Sequence, residues 1–496
     1  MTAAGVAADA GVRAVAAGAK RRLVIGAVIG EVLLSLALGC FHLGDESLWR
    51  DEGFTAMVTG GSWGSVLDHA RDLDSNMFSY NLLLHAWRIV GGDSEAALRS
   101  LSVVATAAAV FVVFMVGSRL YGDAAGVIAG LVLAIAPFGV RYAQEARSYA
   151  LLVLLVSVAS YLFIIGIERP AWPTWICYSV VAALACYAHL FGGLVVLAHA
   201  TSLMFLGRHN RPWRHVAGAA ALLAGLLLPL GVLLAGRPTS QIDWISRPTL
   251  YDVAAATARV SGGSVLVLVF GTFCAVLFIL AWQAWSDDRT SLQTWRYGFT
   301  ASWIAVPPAA ALAFSIAVKP IFFDRYLIVV LPGLAVAAGL VIARLRRVWM
   351  IAAVLAVVVG LSALRIADWY ERPTFEDWRG AVEYVAKSAT PADGVVFCST
   401  HGRPPFEFYE LRQPPSSRPQ PLSPSAPWGL RVRWRPATTS QVTAWRRAQS
   451  RIWVIQTQKR PGHGAGACDL PDSMAPRVRA DVRQLRGVRV ERYDPA

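Results

Sequence analysis

Long apolar segments separated by short polar connections occupy the chain from residue 23 to residue 368. A helix needs about 20 predominantly apolar residues to cross a bilayer, so each segment predicts a membrane-spanning helix. The pattern predicts a polytopic, all-α membrane domain over residues 23–368, after a cytoplasmic tail at residues 1–22. Its spans, about eleven in number, lie at residues 23–43, 97–118, 124–140, 148–167, 173–188, 190–207, 216–235, 261–283, 299–317, 326–343 and 348–366.

The connection between the first two spans, residues 44–96, is too long for a simple connector. Apolar residues at 63–69 and 80–90 have helical spacing, which predicts two short helices lying in the membrane surface. Acids and amides gather between them, at residues 72–80. We therefore interpret this first loop as a structured part of the molecule.

The composition changes sharply after residue 369, where prolines and arginines accumulate and no long apolar run follows. Residues 375–385 have the pattern of an amphipathic helix, and residues 413–436 that of a long loop. Residues 394–398 and 451–455 read as buried strands, and residues 488–493 as a partly exposed one. We expect a small α/β domain over residues 369–496.

The basic connections agree with one orientation of the chain in the membrane. Clusters of Lys and Arg occur at residues 20–22, 208–214 and 344–347, and cytoplasmic loops are enriched in these residues. With the N-terminus inside, an odd number of spans places the first loop and the C-terminal domain outside. We therefore expect a multi-pass protein of the cell membrane whose active site faces the extracytoplasmic side.

The composition supports a membrane protein: 55% of the residues are hydrophobic and 16% are charged, whereas soluble domains carry about 25% charged residues. The net charge is +14, and nearly all of the positive charge is carried by arginine. No clustered basic helix or aromatic RNA-binding signature accompanies it, so we expect no nucleic-acid partner. Cytoplasmic loops and contacts to anionic membrane lipids account for much of the excess charge.

Six cysteines fall into two groups. Four lie in or near apolar segments and lack metal-ligand spacing: Cys40, Cys177, Cys186 and Cys274. Cys398 and Cys468 lie in the polar C-terminal part. A disulfide between them is consistent with an extracytoplasmic location, although spacing alone does not establish the pairing.

Two neighbouring acids, Asp51 and Glu52, follow the end of the first apolar segment and are flanked by Trp49 and Phe54. Trp and Phe suit the water–lipid interface. A carboxylate at this position can act as a general base on a substrate that stays in the lipid. The alternative is an ordinary acidic loop leaving the membrane.

Several cations lie at the predicted outer ends of helices, against the general charge bias: Arg141, Arg147, Lys319 and Arg325. Cations at such places need a partner. A lipid-linked phosphate is one, and the nearby carboxylates Glu145 and Asp324 are another. Arg141 and Glu145 are spaced i,i+4, so a simple salt bridge on a helix also explains that pair.

The motif Leu48-Trp-Arg-Asp-Glu-Gly-Phe-Thr55 resembles the catalytic first loop of integral-membrane glycosyltransferases of the type C fold. The resemblance is to the bacterial group related to protein O-mannosyltransferases and the aminoarabinose transferase of lipid A. It covers roughly residues 20 to 345, with a weaker echo at Asp377-Trp-Arg379. Further matches follow in the family's order: Tyr80-Asn-Leu-Leu-Leu-His-Ala-Trp87, Asp93-Ser-Glu-Ala-Ala-Leu-Arg99, Arg141-Tyr-Ala-Gln-Glu-Ala-Arg147, Tyr187-Ala-His189 and Arg325-Tyr-Leu327.

The resemblance implies transfer of a sugar from a polyprenyl-phosphate donor to an acceptor hydroxyl. Asp51 would take the hydroxyl proton. Glu52 points about 100° away on a helix and would orient the acceptor or a metal. The implied donor-binding residues are Arg141, Arg147, Tyr149, His189, Lys319, Arg325 and Tyr326, although a lone His at a helix end is also typical of packing. The implied acceptor or pocket residues are Trp49, Arg50, Asp74, Asn76, Tyr80, His85, Gln144 and Glu145.

The family leaves the substrates open. Mannose or a pentose such as arabinose would suit it, and the acceptor could be a glycan, a lipid or a protein of the cell envelope. Many relatives carry a Pro-Pro pair where this chain has Asn76-Met-Phe78. No cofactor is certain, and a divalent metal ion is the one that the acids would suit.

Two other classes of function share these features. A transporter or flippase of lipid-linked sugars is also polytopic, but such proteins place polar sites near the membrane midplane. Here the polar residues gather at one surface, which favours chemistry at the interface. A non-catalytic relative acting as a scaffold is the third reading, and the presence of both acids argues against it.

Overall fold

The computed structural model describes residues 3–72, 76–235, 242–371, 376–423, 438–447, 450–457 and 477–495. The chain divides into two compact units. The membrane unit comprises Met1–Phe41, Ala70–Tyr80 and Arg99–Glu371. The C-terminal unit comprises His42–His69, Asn81–Leu98 and Arg372–Ala496. The boundary at residue 371 lies close to the predicted one, but most of the first loop, which was predicted as part of the membrane domain, packs with C-terminal residues.

Helices account for nearly all of the membrane unit. In chain order, the helices up to residue 371 are α1 (Ala3–Cys40), α2 (Arg50–Thr59), α3 (Trp63–Asp72), α4 (Phe78–Gly91), α5 (Glu95–Tyr121), α6 (Asp123–Ala134), α7 (Pro137–Ala143), α8 (Tyr149–Glu168), α9 (Trp172–Ala188), α10 (Gly192–Ser202), α11 (Trp213–Ala235), α12 (Leu250–Ser261), α13 (Ser264–Asp287), α14 (Leu292–Ala317), α15 (Leu331–Ala343) and α16 (Val348–Glu371). A 3-10 helix at Asp324–Val330 leads into α15.

Each of the eleven predicted spans coincides with a helix or, for residues 124–140, with a bent pair of helices. Within the described residues, eight helices are long and apolar enough to cross a membrane, and nine if the bent pair counts as one span. The fifth and sixth predicted spans are shorter apolar helices, Trp172–Ala188 and Gly192–Phe205. The prediction of a polytopic helical membrane domain is confirmed.

The bent pair consists of α6 and α7, whose axes differ by 59°. Pro137 occupies the start of α7, where its missing N–H costs no hydrogen bond and its ring prevents α6 from continuing. Gly339 of α15 lies so close to α6 that an added Cβ would meet the Ala125 oxygen at 2.2 Å. Small residues at such crossings let membrane helices approach closely.

Two short predicted helices in the first loop are present as α3 and α4, and a third, α2, precedes them. The C-terminal unit adds α17 (Trp378–Ala386), α18 (Arg403–Glu410) and α19 (Thr439–Arg447). Its strands are β1 (Gly394–Phe397), β2 (Gln420–Ser423), β3 (Ile452–Thr457), β4 (Val478–Leu485) and β5 (Val488–Asp494). They form one sheet in the order β2-β1-β3-β5-β4.

The sheet is mixed: β1 pairs in parallel with β2 and β3, whereas β5 pairs antiparallel with β3 and β4. A buried cluster on it includes Val396, Trp445, Ile452, Val454 and Tyr493. This arrangement confirms the predicted small α/β domain. It also confirms the three predicted strands and the helix near residue 380.

Parts of the C-terminal unit escaped the sequence reading. Residues 413–436 were predicted as one long loop, but β2 and the 3-10 helix Pro415–Ser417 lie in it, and residues 424–436 are outside the described residues. Neither α18 nor β4 was predicted. Every residue of β4 except the last is exposed, so the strand lacks the apolar alternation by which strands are recognised.

The described cysteines agree with their sequence context. Four are free thiols: Cys40, Cys177, Cys186 and Cys274. Cys398 is disulfide-bonded. Cys468, its predicted partner, lies outside the described residues.

Candidate active site

The connection between α7 and α8, residues 144–148, carries much of the predicted donor-binding chemistry in the membrane unit. It follows the short helix that Pro137 begins. The buried hydroxyl of Ser102, on α5, donates to the carbonyl of Glu145 at 2.7 Å and lies 3.4 Å from that of Arg147. Sequence reasoning missed Ser102, which no motif includes. Its two contacts fix the backbone that presents Arg147.

Two residues of this connection have structural partners. The Gln144 side-chain amide donates to the Phe41 carbonyl at 2.6 Å and its oxygen accepts from the Trp369 indole at 2.9 Å. Gln144 thus ties the ends of α1 and α16 to α7. Glu145 is buried, and its carboxylate lies 3.6 Å from the Arg141 Nε, which is the predicted i,i+4 ion pair.

Four of the predicted donor-binding residues gather around a fifth, the buried His189. We call the five residues the aromatic–arginine cluster: Arg147, Tyr149, His189, Arg325 and Tyr326. The His189 ring centroid lies 5.9 Å from that of Tyr149 and 4.7 Å from that of Tyr326. Both arginines lie within electrostatic range of His189. Because these residues come from three separate connections, the fold assembles the cluster from distant parts of the sequence.

His189 is neutral in this cluster. Burial, and then the positive charges of Arg147 and Arg325, lower its pKa to about 3. Its Nδ1 accepts a hydrogen bond from the Phe191 N–H at 3.2 Å. A neutral ring with an accepting Nδ1 carries its proton on Nε2. His189 therefore offers one hydrogen-bond donor.

Arg325 is held against aromatic rings. Its guanidinium carbon lies 4.9 Å from the centroid of Phe323, 5.6 Å from that of Trp244 and 5.9 Å from that of Tyr326. Stacking of this kind stabilises a guanidinium and orients its donors. The neighbouring Asp324 forms an ion pair with Arg259 at 2.5 Å.

Lys319 and Arg141 have different surroundings from the cluster. The Lys319 ammonium donates to Asp243 at 2.7 Å, an ion pair that sequence reasoning did not foresee. The Arg141 guanidinium lies 5.0 Å from the centroid of the Trp369 ring, beside its partner Glu145. The Tyr142 ring next to Arg141 packs edge-on against Tyr149, so Arg141 lies beside the cluster.

The part of the first loop that belongs to the membrane unit contacts the same connections. The side-chain amide oxygen of Asn76 accepts from the Leu190 N–H at 3.1 Å, next to His189. The buried Tyr80 hydroxyl lies 3.5 Å from the Ser102 hydroxyl. Both residues support the backbone around the cluster. Asp74 lies outside the described residues.

A small pocket lies in the membrane unit beside the elements that carry the cluster. Pro137 lines it at the start of α7, and Leu331 lines it directly after the 3-10 helix that carries Arg325. Its remaining lining is apolar apart from two serines: Val132, Leu133, Ala136, Val260, Ser261, Phe270, Leu334, Ala335, Val358 and Ser362.

In the C-terminal unit, Asp51 lies in the first turn of α2 with 28% of its side chain exposed. The Arg50 Nε is 4.0 Å from its carboxylate. Glu52 differs: it is fully buried, and its carboxylate accepts from the Trp49 N–H at 3.3 Å. This is the capping contact by which a Glu three positions into a helix satisfies the N-cap. Asp51 is thus the carboxylate of the pair that solvent can reach.

His85 and Trp49 both support α2. The His85 Nδ1 lies 2.8 Å from the Thr59 carbonyl at the end of that helix, and the ring packs edge-on against Trp63. Trp49 is buried at the N-cap position. These positions indicate packing roles for the two side chains.

The described residues hold no group of three or more His, Cys, Asp or Glu side chains arranged to bind a metal ion. Asp74, one of the acids that suggested a metal, is not among them. In the membrane unit, the described side chains bring two arginines next to an imidazole and two tyrosine rings. In the C-terminal unit, Asp51 presents a partly exposed carboxylate. These are the groups that phosphate binding and proton removal require.

Comparisons with known proteins find a family match over part of the chain and a shared fold over most of it. Residues 78–234 match the family described as dolichyl-phosphate-mannose-protein mannosyltransferase. The chain is similar to the crystal structure of ArnT from Cupriavidus metallidurans bound to undecaprenyl phosphate, with 15% identity, a TM-score of 0.63, and coverage of 94% of this chain and 98% of ArnT. No curated protein sequence matches the chain.

A second solved structure with the same fold is the archaeal oligosaccharyltransferase AglB from Archaeoglobus fulgidus, in complex with an inhibitory peptide and a dolichol-phosphate. It is 10% identical, with a TM-score of 0.54, and the match covers 88% of this chain and 70% of AglB. The chain therefore has the fold of type C integral-membrane glycosyltransferases. The resemblance predicted from the motifs is confirmed.

Proposed function

We propose that the chain is a glycosyltransferase that moves a sugar from a polyprenyl-phosphate donor to an acceptor hydroxyl at the extracytoplasmic face of the cell membrane. The observation that carries this proposal is the aromatic–arginine cluster, in which Arg147 and Arg325 lie around a neutral histidine and two tyrosines. The fold supports it, because ArnT was solved with undecaprenyl phosphate and AglB with a dolichol-phosphate.

The cluster suits a lipid-linked phosphate. Arg147 and Arg325 would bind the phosphate oxygens and stabilise the charge that develops as the phosphate leaves. The Nε2–H of neutral His189 and the hydroxyls of Tyr149 and Tyr326 would donate to the phosphate or the sugar.

Asp51 suits the role of general base. Its carboxylate is partly exposed, so an acceptor hydroxyl can reach it, and it would take the proton as that oxygen attacks the anomeric carbon. Glu52 is fully buried and caps α2, so we assign it a positioning role instead of direct contact with the acceptor. Mannose or a pentose such as arabinose is the sugar we favour, and a cell-envelope glycan, lipid or protein the acceptor.

The test is transfer by the purified protein from a panel of polyprenyl-phosphate sugars, with undecaprenyl phosphate as the ligand in binding assays. We expect turnover with at least one donor. Asp51→Asn should lower kcat by roughly 10²–10⁴-fold, the usual contribution of a general base, while undecaprenyl phosphate binding stays the same. Unchanged turnover in Asp51→Asn would contradict the base assignment.

The same preparation separates the alternative functions. A flippase would move a lipid-linked sugar across proteoliposomes without forming a glycosylated product, and a scaffold would bind without either activity. Labelling of a cysteine introduced at residue 61, in the exposed turn after α2, by a membrane-impermeant reagent on intact cells tests the predicted orientation. Protection of that cysteine until the cells are opened would place the first loop in the cytoplasm.

A further inference from the structure

The N-terminus of α2 is held by residues from the other end of the chain. The first N–H groups of a helix have no partner within the helix. Glu52 satisfies one of them, at Trp49. On either side of it, the Leu48 N–H donates to the Tyr409 hydroxyl oxygen at 2.8 Å, and the Arg50 N–H donates to the Glu376 carboxylate at 2.9 Å. Asp51 follows directly after the residue that Glu376 binds.

Glu376 is itself fixed. The same carboxylate oxygen accepts from the Trp378 indole N–H at 3.1 Å. The backbone N–H groups of Trp378 and Arg379 donate to the Ser47 hydroxyl at 3.0 and 3.2 Å, so the two segments are joined at a second point. A carboxylate that binds a helix N–H from a fixed place holds the first turn of that helix and interacts favourably with its dipole.

Further bonds anchor the loop that leads into α2. The Arg379 guanidinium forms an ion pair with Glu95 at 2.6 Å and donates to the Gly44 carbonyl at 3.1 Å. The Tyr409 hydroxyl donates to the same Glu95 carboxylate at 3.0 Å. Burial raises the pKa of Tyr409 to about 12, so this hydroxyl keeps its proton at neutral pH. The segment from Gly44 to Leu48 is therefore held along its length.

Charged groups from three elements surround this turn. Arg50 and Asp51 lie on α2, Glu376 precedes α17, and His401 lies on the 3-10 helix Thr400–Gly402. Burial lowers the pKa of His401, Arg50 lowers it further, and the carboxylates of Asp51 and Glu376 raise it. Both carboxylates therefore act on one imidazole and lie in the same electrostatic neighbourhood.

We infer that Glu376 is a positioning residue for Asp51: its carboxylate fixes the Arg50 N–H, sets the direction of the first turn of α2, and adds a negative charge near the base. This inference rests on the proposed function. It gives the Asp377-Trp-Arg379 echo a physical meaning, because the residue before it and the residues in it hold the catalytic loop in place.

Two substitutions separate the hydrogen bond from the charge. Glu376→Ala removes both, and misplacement of a reacting group by about 1 Å can cost about 100-fold, so we expect a loss of that order in kcat with the donor KM unchanged. Glu376→Gln keeps an accepting oxygen and should retain most of kcat. A nearby negative charge favours protonation of Asp51, so Glu376→Gln should move the acid limb of the pH–rate profile to lower pH.

The matched control is Glu383→Gln, an exposed carboxylate on α17, which should change neither kcat nor the acid limb. Hydrogen exchange of the peptide covering residues 48–55 supplies a readout that does not depend on turnover. Faster exchange is expected in Glu376→Ala and not in Glu376→Gln. Where Glu376→Ala fails to fold, the shifted acid limb of Glu376→Gln carries the test.

The outcomes distinguish this inference from the proposed function. Wild-type protein without transfer activity would refute the function, and the exchange measurement would still decide whether Glu376 holds α2. Wild-type turnover with equal kcat in Glu376→Ala, or equal exchange at residues 48–55, would overturn the positioning role. An unmoved acid limb in Glu376→Gln would also contradict it, because a purely structural residue does not change the pH profile.

Discussion

The two units differ in what chiefly holds their candidate functional side chains. In the membrane unit, the aromatic–arginine cluster is fixed by its own side chains: rings pack on His189, and Arg325 stacks on aromatic neighbours. In the C-terminal unit, the backbone around Asp51 is fixed by other residues' side chains, while the Asp51 carboxylate stays 28% exposed. One site has immobilised charges and the other an immobilised main chain.

The proposed roles of the two sites account for this difference. An arginine that binds phosphate acts more strongly in a water-poor place, where fixed charges are screened less. A general base must meet a hydroxyl that arrives from outside, so burial of the carboxylate itself would defeat its purpose. Holding the peptide backbone fixes the direction of Asp51 and leaves its oxygens accessible.

The largest expected effect on donor binding comes from a cluster arginine. Arg147→Gln removes a charged donor to phosphate, and hydrogen bonds to charged groups contribute roughly 1.5–3 kcal/mol. We expect undecaprenyl phosphate to bind about 10- to 100-fold more weakly, measured with purified protein in detergent. Lys319→Gln should have a much smaller effect, since the Lys319 ammonium is paired with Asp243 at 2.7 Å.

Exposed Lys387 on the C-terminal unit supplies the control, as Lys387→Gln removes the same charge from the molecule without touching either site. Equal losses of affinity in the Arg147, Lys319 and Lys387 variants would mean that binding follows overall charge. That result would break the assignment of phosphate binding to the cluster.

Gly53, two residues after Asp51, tests how the C-terminal unit holds the backbone around Asp51. A Cβ there would meet the Pro405 Cα at 2.5 Å and its nitrogen at 2.7 Å, backbone atoms that cannot rotate away. Gly53→Ala should therefore push α2 from α18 and destabilise the C-terminal unit by about 1–3 kcal/mol, as overpacking usually does. The melting temperature in thermal unfolding and the transfer activity should both fall.

Gly64→Ala is the matched control, because the nearest atom to a Cβ at Gly64 is the Ser62 Oγ at 3.9 Å, and Ala favours the helix. Its stability should equal or exceed that of the wild type. If Gly53→Ala matched it, the close contact between α2 and α18 would not be needed to hold the Asp51 turn.

Glu410, at the end of α18, gives the C-terminal unit a pH dependence. The carboxylate is fully buried, neither oxygen has a hydrogen-bond partner in the described residues, and burial raises its pKa to about 8. The folded protein thus binds this proton more tightly than the unfolded chain, whose ordinary value is 4.5. The stability contributed by the neutral acid is therefore fully present below pH 4.5 and is lost as the pH rises toward 8.

Glu410→Gln keeps the shape of the neutral acid and cannot ionise. We expect the same melting temperature as wild type at pH 5 and a value higher by roughly 2–4 °C at pH 8.5, measured by thermal unfolding. Exposed Glu383 provides the comparison, since Glu383→Gln should show no such pH dependence. A constant difference across the pH range would mean that Glu410 ionises normally.

The sequence predicted the spans well because hydrophobic length determines them almost alone, and all eleven segments became helices. It also named the five residues of the aromatic–arginine cluster: the two arginines because cations at outer helix ends are conspicuous against the charge bias, and the histidine and two tyrosines through the family resemblance. It failed where a residue's partner lies far along the chain. Lys319 carries the same pattern as Arg325, and only the fold shows that Asp243 neutralises it.

Roles of neighbouring residues were equally hard to separate from sequence. Asp51 and Glu52 are adjacent acids, yet one is partly exposed and the other caps a helix in full burial. Gln144 stands inside a family motif but uses both ends of its amide to join helices. Ser102 and Glu376 escaped notice because a serine in a span and a glutamate before a helix are common, and their importance depends on which backbone they reach.

The smallest predicted effect concerns Ser102. Its side chain holds the backbone that presents Arg147, as the Glu376 side chain holds the backbone next to Asp51. Ser102→Ala removes a hydrogen bond of roughly 1 kcal/mol, so undecaprenyl phosphate should bind about fivefold more weakly. Ser157→Ala is the control, a buried serine on α8 that donates only to the Val153 carbonyl one turn earlier. Equal affinities in both variants would show that the aromatic–arginine cluster needs no support from its backbone. Side chains alone would then hold the cluster in the membrane unit, whereas backbone hydrogen bonds hold the turn of Asp51 in the C-terminal unit.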